Sequence, residues 1–310
     1  MISPGKLAKA LGLKTIVPAS KRSMRITVAD ICRPGLQFAG FFDFFANERP
    51  QVIGWTEMHY LLSLPENVQR ERLHRYFSYE MPCIVIARGM SCPAVLEEGA
   101  REHGVAVYAT QEETSAFTAR AIGFLLEELA PRQTCHAVLV DVFGVGVLIT
   151  GESGVGKSEC ALELIKRGHL LVADDVVDIA RVGPRLRGES PEIVRELMEL
   201  RGIGIVNIKS IFGIGAVLRR KTIDMVIQLE LWSPDRDYDR LGSKAETTNI
   251  LGIDLPRVVI PVRSGRNLAI IVEIAARNWR LTTEGNDAVS ELERRMQARY
   301  SQMQEDDEEE

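Results

Sequence analysis

The alternation of apolar and polar positions divides the chain near residue 130. Before that point, short β-branched runs are followed by stretches with helical spacing. Pro82–Arg88 (PCIVIAR) reads as a strand and CPAVLEEGAREH, from Cys92, as a helix. Val105–Thr110 (VAVYAT) reads as a second strand and Gln111–Ala130 as a second helix, stopped by Pro131. This order predicts an α/β domain over residues 1–130.

Beyond the boundary the pattern changes. HAVLVDVFGVGVLITG, from His136, is strand, glycine turn at Phe143–Gly146, then strand. So short a connection joins only antiparallel partners, so the second half is expected to carry an atypical mixed or antiparallel sheet. Lys157 to His169 has helical spacing, with Cys160, Ala161, Leu164 and Ile165 on one face. Leu170–Val182 is strand-like, and a helix is expected to open at Ser190–Pro191, with serine as cap and proline at the first position. VNIKSIFGIGAVL and TIDMVIQLELW are further apolar runs, and PVRSGRN is a loop leading into LAIIVEIAA. A last helix would align Val289, Leu292, Met296 and Tyr300, on a domain spanning 131–300. Residues 301–310 end in EDDEEE and form an acidic tail expected to be disordered.

Composition narrows the class. The 310 residues are 45% hydrophobic and 26% charged, as in ordinary globular proteins. A net charge of −5 supplies no global basic field for nucleic acid or an anionic membrane. Cys32, Cys83, Cys92, Cys135 and Cys160 are scattered without a C-x-x-C pair, which argues against a disulfide framework or zinc site and for a reducing compartment. No apolar run of about 18 residues suggests a membrane span, and LGLKTIVPA is broken by Lys14. The expected location is the cytoplasm.

The densest chemistry is GESGVGKSE, from Gly151. Gly151, Glu152, Ser153, Gly154, Val155, Gly156, Lys157 and Ser158 form G-x-x-x-x-G-K-S between a strand and a helix. That is the context in which backbone N–H groups cradle phosphates, lysine meets the β- and γ-phosphates and serine binds Mg²⁺. Eighteen residues past Lys157 (175 − 157), an apolar run ends in Asp174 and Asp175. Neighbours on a strand face opposite ways, so one carboxylate is expected to face the γ-phosphate. On one reading one of the pair is an Mg²⁺ ligand through water and the other a solvated strand end. On the other reading the two have separate tasks, one accepting a proton from an attacking hydroxyl. His136 and His169 read as packing residues on pattern alone, and ELRGIGIVNI (Glu199–Ile208) as a helix stop followed by a strand.

In order and spacing, HAVLVDV, GVLITGESGVGKSE, LVADDVV, ELRGIGIVNI, YDRLG and PVRSGRNLA resemble the HPr kinase/phosphorylase family. The resemblance implies phosphorylation of a serine of the phosphocarrier protein HPr by ATP, and phosphorolysis of phosphoserine-HPr by inorganic phosphate to give pyrophosphate. It implies that residues 151–158 hold ATP, that Ser158 and Glu199 bind Mg²⁺, and that Asp175 is the proton acceptor forward and donor in reverse. His136, Lys157 and Arg240 match the other catalytic positions, Pro261–Arg266 matches the segment tied to dephosphorylation, and Ser264 stands where proline is familiar. The expected fold is an N-terminal α/β domain plus a carboxykinase-like P-loop kinase domain, assembled as a homohexamer. A small-molecule kinase or carboxykinase-like enzyme would use the same cradle but predicts no ELRGIGIVNI and PVRSGR together. A GTPase switch predicts an Asn-Lys-x-Asp stretch, which the sequence lacks. A noncatalytic nucleotide scaffold would leave Asp175 only orienting metal.

Overall fold

The computed structural model describes residues 1–20, 23–234, 246–263, 265–286, 291, 294–297 and 299. The chain separates into two compact units, Met1–Ala130 and Pro131–Glu310.

The first unit runs α1 (Pro4–Leu11), β1 (Lys14–Val17), α2 (Gly35–Phe38), β2 (Gln51–Ile53), α3 (Trp55–Ser63), α4 (Glu66–Phe77), β3 (Cys83–Ile86), α5 (Ala94–His103), β4 (Ala106–Ala109) and α6 (Thr114–Glu128). Its sheet has the order β1-β4-β3-β2, with β2, β3 and β4 parallel and β1 antiparallel at the edge. All four residues of β3 are buried, because helices cover both faces. Ile84 and Ile86 enter one apolar cluster, Cys83 and Val85 the other. Period-two alternation thus feeds two cores from one strand.

The second unit begins with β5 (Arg132–His136), β6 (Val138–Val142), β7 (Val145–Gly151), α7 (Lys157–Lys166), β8 (Leu170–Ala173), β9 (Val176–Val182) and β10 (Arg185–Glu189). It continues with β11 (Leu197–Leu200), β12 (Gly204–Asn207), α8 (Ile208–Phe212), β13 (Arg220–Thr222), β14 (Met225–Leu231), β15 (Glu246–Ile250), β16 (Ile253–Val262) and α9 (Leu268–Thr283). A six-stranded mixed sheet has the order β15-β16-β14-β7-β6-β8, and a four-stranded sheet the order β13-β10-β9-β5. β6 and β7 form the expected antiparallel hairpin, Val142 opposite Val145, while β7, β14 and β16 are parallel. One face of β6 and β7 packs with Ala161 and Leu164 of α7 and Val272 and Ala276 of α9. The other face, through Leu139 and Leu148, meets Val177, Ile179 and Leu186 of the second sheet. The unit is therefore three layers: helices, mixed sheet, antiparallel sheet.

Two elements differ from the sequence reading. The helix expected from Ser190–Pro191 is a three-residue 3-10 turn, Glu192–Val194, followed by the β11–β12 hairpin. Met198 and Leu200 are buried while Glu199 between them is exposed, so tertiary burial with period two overrides the cap signal. Leu170–Val182 is also not one strand. β8 belongs to the mixed sheet and β9 to the antiparallel one, and the chain changes sheets at Asp174–Asp175. It makes the reverse change at Ala137, between β5 and β6, and the two crossings are tied together by Ala137 N–H donating to Asp175 O at 3.1 Å.

Candidate active site

The glycine-rich segment lies where β7 ends and α7 begins. Gly151, Gly154 and Gly156 all have positive φ, and Gly156 is the N-cap of α7. A Cβ on Gly151 would stand 2.4 Å from Leu229 O, and one on Gly154 would stand 2.8 Å from Arg201 Nη2. The bare backbone thus makes the curl possible where a side chain would run into Leu229 and Arg201. Lys157 Nζ donates to Gly151 O at 2.9 Å and Glu152 O at 3.0 Å, lying across the loop. Leu268, the first residue of α9, is 3.9 Å from where a Cβ of Gly156 would be. The end of the PVRSGRN segment therefore adjoins the loop.

The two aspartates are separated by the turn that carries them. Val176 N–H donates to Asp174 O at 2.7 Å, and Asp175 between them has φ 63°. This tight three-residue turn holds a non-glycine residue in the left-handed region, where aspartate is among the few tolerated types. It leaves Asp174 buried, 4% exposed, and directs the Asp175 side chain outward, 67% exposed. Asp174 Oδ1 accepts from Ser158 Oγ at 2.9 Å and Oδ2 from Glu199 N–H at 3.2 Å. One carboxylate thus ties the helix after the loop to the β11–β12 hairpin. His136 closes β5 opposite Val176, its Nδ1 3.6 Å from Asp175 Oδ1. The His136 side chain is 84% exposed and does not pack. His169 does: it is buried, bonds Glu273 Oε1 at 2.9 Å, and meets the edge of Phe143.

Burial pushes the Asp174 carboxyl above the ordinary value of 3.8, against the Ser158 and Glu199 hydrogen bonds that lower it. A carboxyl raised in the folded state holds its proton more tightly there than in the unfolded chain. Its contribution to stability is then greatest at acid pH and falls as pH rises from 3.8 through the raised folded value. Asp174→Asn is expected to flatten that limb, measured as melting temperature against pH between pH 4 and pH 7; a variant with the same slope as the parent would contradict it.

The donor set fits magnesium. The Ser158 hydroxyl and the Asp174 carboxylate, 2.9 Å apart, are hard oxygen ligands. Among the described residues no group of three or more His, Cys, Asp or Glu could hold a metal on its own. The five cysteines are free, and burial raises the Cys160 thiol in α7 to about 12, so it stays protonated.

The structure thus brings residues 151–158, Asp174, Asp175, His136 and the backbone of Glu199 to one edge. Arg240 and the YDRLG stretch lie outside the described residues, as do Ser264, Val289, Leu292, Tyr300 and the acidic tail. Two residues were not singled out for these places by sequence reasoning: Asp174 as the bridge between Ser158 and Glu199, and Arg201 over Gly154. For Arg201 the only available signal was its position inside ELRGIGIVNI.

Residues 2–125 match the family model described as HPr Serine kinase N terminus, and residues 127–296 the model for the HPr Serine kinase C-terminal domain. The chain belongs to the HPr serine kinase family. It is 47% identical to the HPr kinase/phosphorylase of Caldanaerobacter subterraneus subsp. tengcongensis over 95% of this chain and 97% of that protein. It is 45% identical to that of Clostridium acetobutylicum, over 90% of this chain and 91% of that protein. A solved structure, the Hpr(Ser) kinase/phosphatase from Coxiella burnetii, is 38% identical, covers 49% of this chain and 99% of its own, and superposes with a TM-score of 0.46. Among the described residues, no helix is long and apolar enough to cross a membrane.

Proposed function

We propose that the chain is a bifunctional protein-serine kinase and phosphorylase. It transfers the γ-phosphoryl group of ATP, or a phosphoryl group of pyrophosphate, to a serine of HPr. In the other direction inorganic phosphate attacks phosphoserine-HPr and leaves as pyrophosphate. The observation that carries this reading is the turn at Asp174–Asp175. It puts one buried carboxylate on the Ser158 hydroxyl and one exposed carboxylate at the same sheet crossing, within a chain matched along both domains of the kinase family.

In the forward direction Asp175 takes the proton from the serine hydroxyl as its oxygen bonds to phosphorus and the bond to the leaving phosphate oxygen breaks. Lys157 and the loop N–H groups offset charge on the transferring group. In reverse, protonated Asp175 returns the proton to the departing serine oxygen. His136 lies against Asp175 and orients it, and Arg240 completes the catalytic set in this reading. Ser158 and Glu199, with Asp174 behind them, would hold Mg²⁺, which would supply positive charge against the phosphate groups. Ile203 and Ile205, 73% and 72% exposed on the hairpin that carries Glu199, offer apolar surface suited to a protein substrate rather than a small one. In this assignment residues 131–300 form a carboxykinase-like P-loop catalytic domain, residues 1–130 a separate domain, and the cytoplasmic enzyme is a homohexamer.

The direct test incubates the protein with HPr, ATP and Mg²⁺, then adds phosphate. Serine phosphorylation followed by phosphate-dependent loss with release of pyrophosphate is expected; phosphorylation of small acceptors but not HPr would reject the reading. Asp174→Asn is expected to weaken Mg²⁺ binding about 10–100-fold, the usual cost of losing a partner behind a metal ligand. Metal-free nucleotide affinity should stay unchanged, and Mg²⁺ titration of nucleotide binding separates the two.

A further inference from the structure

The parallel strands β7, β14 and β16 lie side by side, so their carboxyl ends form one edge. In open α/β sheets that edge is where ligands sit. β7 ends there in the glycine-rich loop, while β14 and β16 bring an aromatic ring and a cation. Leu229 of β14 is level with Gly151, and Leu231 with Val262 of β16. Trp232 comes next, its N–H donating to Val262 O at 3.2 Å, and Arg263 follows Val262. The guanidinium carbon of Arg263 lies 3.4 Å from the centre of the Trp232 ring.

Two features set this pair apart from ordinary surface. Trp232 keeps 41% of its surface exposed, although indole gains more from burial than most side chains. Arg263 applies its guanidinium to that ring, and among the described residues no carboxylate pairs with it. A cation held over one face fixes the plane of the ring before any ligand arrives.

Position decides what the exposed indole can meet. Trp232 stands three residues (232 − 229) past the level of Gly151, about 10 Å along the strand direction, and one strand, about 5 Å, to the side. A phosphate chain held in the loop leaves a ribose and base to extend over such a span. The indole is uncharged and has little to offer phosphate, whereas a flat heterocycle stacks on it whatever the base.

We propose that Trp232, backed by Arg263, is the platform on which the nucleobase of the phosphoryl donor stacks, an inference that rests on the kinase reading above. The platform adds affinity for ATP and ADP and none for pyrophosphate or phosphate, which engage the glycine-rich loop alone. It therefore contributes binding to the ATP-driven direction that phosphorolysis lacks.

Calorimetric titration of ADP and of pyrophosphate, each with Mg²⁺, into parent and variant proteins tests this without requiring turnover. Trp232→Ala is expected to weaken ADP binding about 10–100-fold, the range for losing one base–aromatic stack, and to spare pyrophosphate. Trp232→Phe keeps an aromatic face and should stay within about threefold of the parent, and Arg263→Ala, which frees the ring, should cost about threefold as well. Trp232→Leu keeps apolar bulk without the face and should resemble alanine, so the test holds even if the smaller side chain upsets folding. Unchanged ADP affinity in both the alanine and leucine variants would show that the base lies elsewhere. Equal losses for ADP and pyrophosphate would make Trp232 a support of the loop; either result overturns the proposal. Selective loss of ADP in a protein whose parent does not phosphorylate HPr would sink the kinase reading and uphold the base site, so the two failures are distinguishable.

Discussion

Asp175→Asn is expected to lower serine phosphorylation and its phosphorolytic reversal together, by about 10²–10⁴-fold, the range for losing a positioned general acid–base. The geometry makes the variant unusually clean. Asparagine has the shape of aspartate and is equally at ease with the φ of 63° at this position, so the turn between β8 and β9 survives. The side chain is largely exposed, and its removal leaves no buried group unsatisfied. The bonds from Ser158 and Glu199 go to Asp174, not to Asp175, so the link between α7 and the β11–β12 hairpin is undisturbed. Turnover should therefore collapse while nucleotide affinity and melting temperature stay near the parent's. Steady-state rates in both directions, with nucleotide binding measured separately, check this. Near-normal transfer in either direction would show that Asp175 is not the proton carrier, and a parallel loss of nucleotide binding would show that it serves the cradle instead.

Much of this site was legible because its signals are local. The glycine spacing from Gly151 to Gly156, the short turn at Phe143–Gly144 and the apolar run before Asp174 each depend on near neighbours in the chain. Backbone chemistry alone constrains them. What pattern could not reveal is non-local. Neither Ala137 nor Asp175 announces that the chain changes sheets there, since strand signals run through both points. That crossing decides which aspartate is buried and which is free, and no alternation rule covers a residue in a left-handed turn. The β11–β12 hairpin failed to register for a related reason. Ser190 and Pro191 carry a genuine helix-start signal, but Met198 and Leu200 gain more by burial in alternate positions of a strand. Arg201 reaches Gly154 across 47 residues (201 − 154), a contact that only the tertiary fold creates.

Gly146→Ala is expected to be the most damaging single-methyl change in the second unit. Gly146 has no positive φ, so its requirement for glycine is not conformational. It is steric: a Cβ there would lie 1.8 Å from Thr222 O and 2.9 Å from both Thr222 C and Lys221 Cγ. The Lys221 stem could turn only by giving up its bonds to Asp141 and Gly144 O, and a backbone carbonyl between β13 and β14 cannot move without its neighbours. Gly146 N–H donates to Asp224 Oδ2 at 2.7 Å and Asp224 N–H returns a bond to Gly146 O at 2.8 Å, so the two segments are clamped where the methyl would enter. Relief requires breaking that clamp or shifting β7 against β14, and β7 is the strand that leads into the glycine-rich loop. Overpacking of this kind costs about 3 kcal/mol or more, which for a unit of this size lowers its melting temperature by roughly 6–12 °C. Gly215→Ala is the matched control, since a Cβ at Gly215 meets nothing within 4 Å, and it should change stability by no more than about 0.5 kcal/mol. Thermal unfolding of the two variants beside the parent decides the matter: a Gly146→Ala protein melting with the control would mean that β13 and β14 yield far more readily than their paired hydrogen bonds imply.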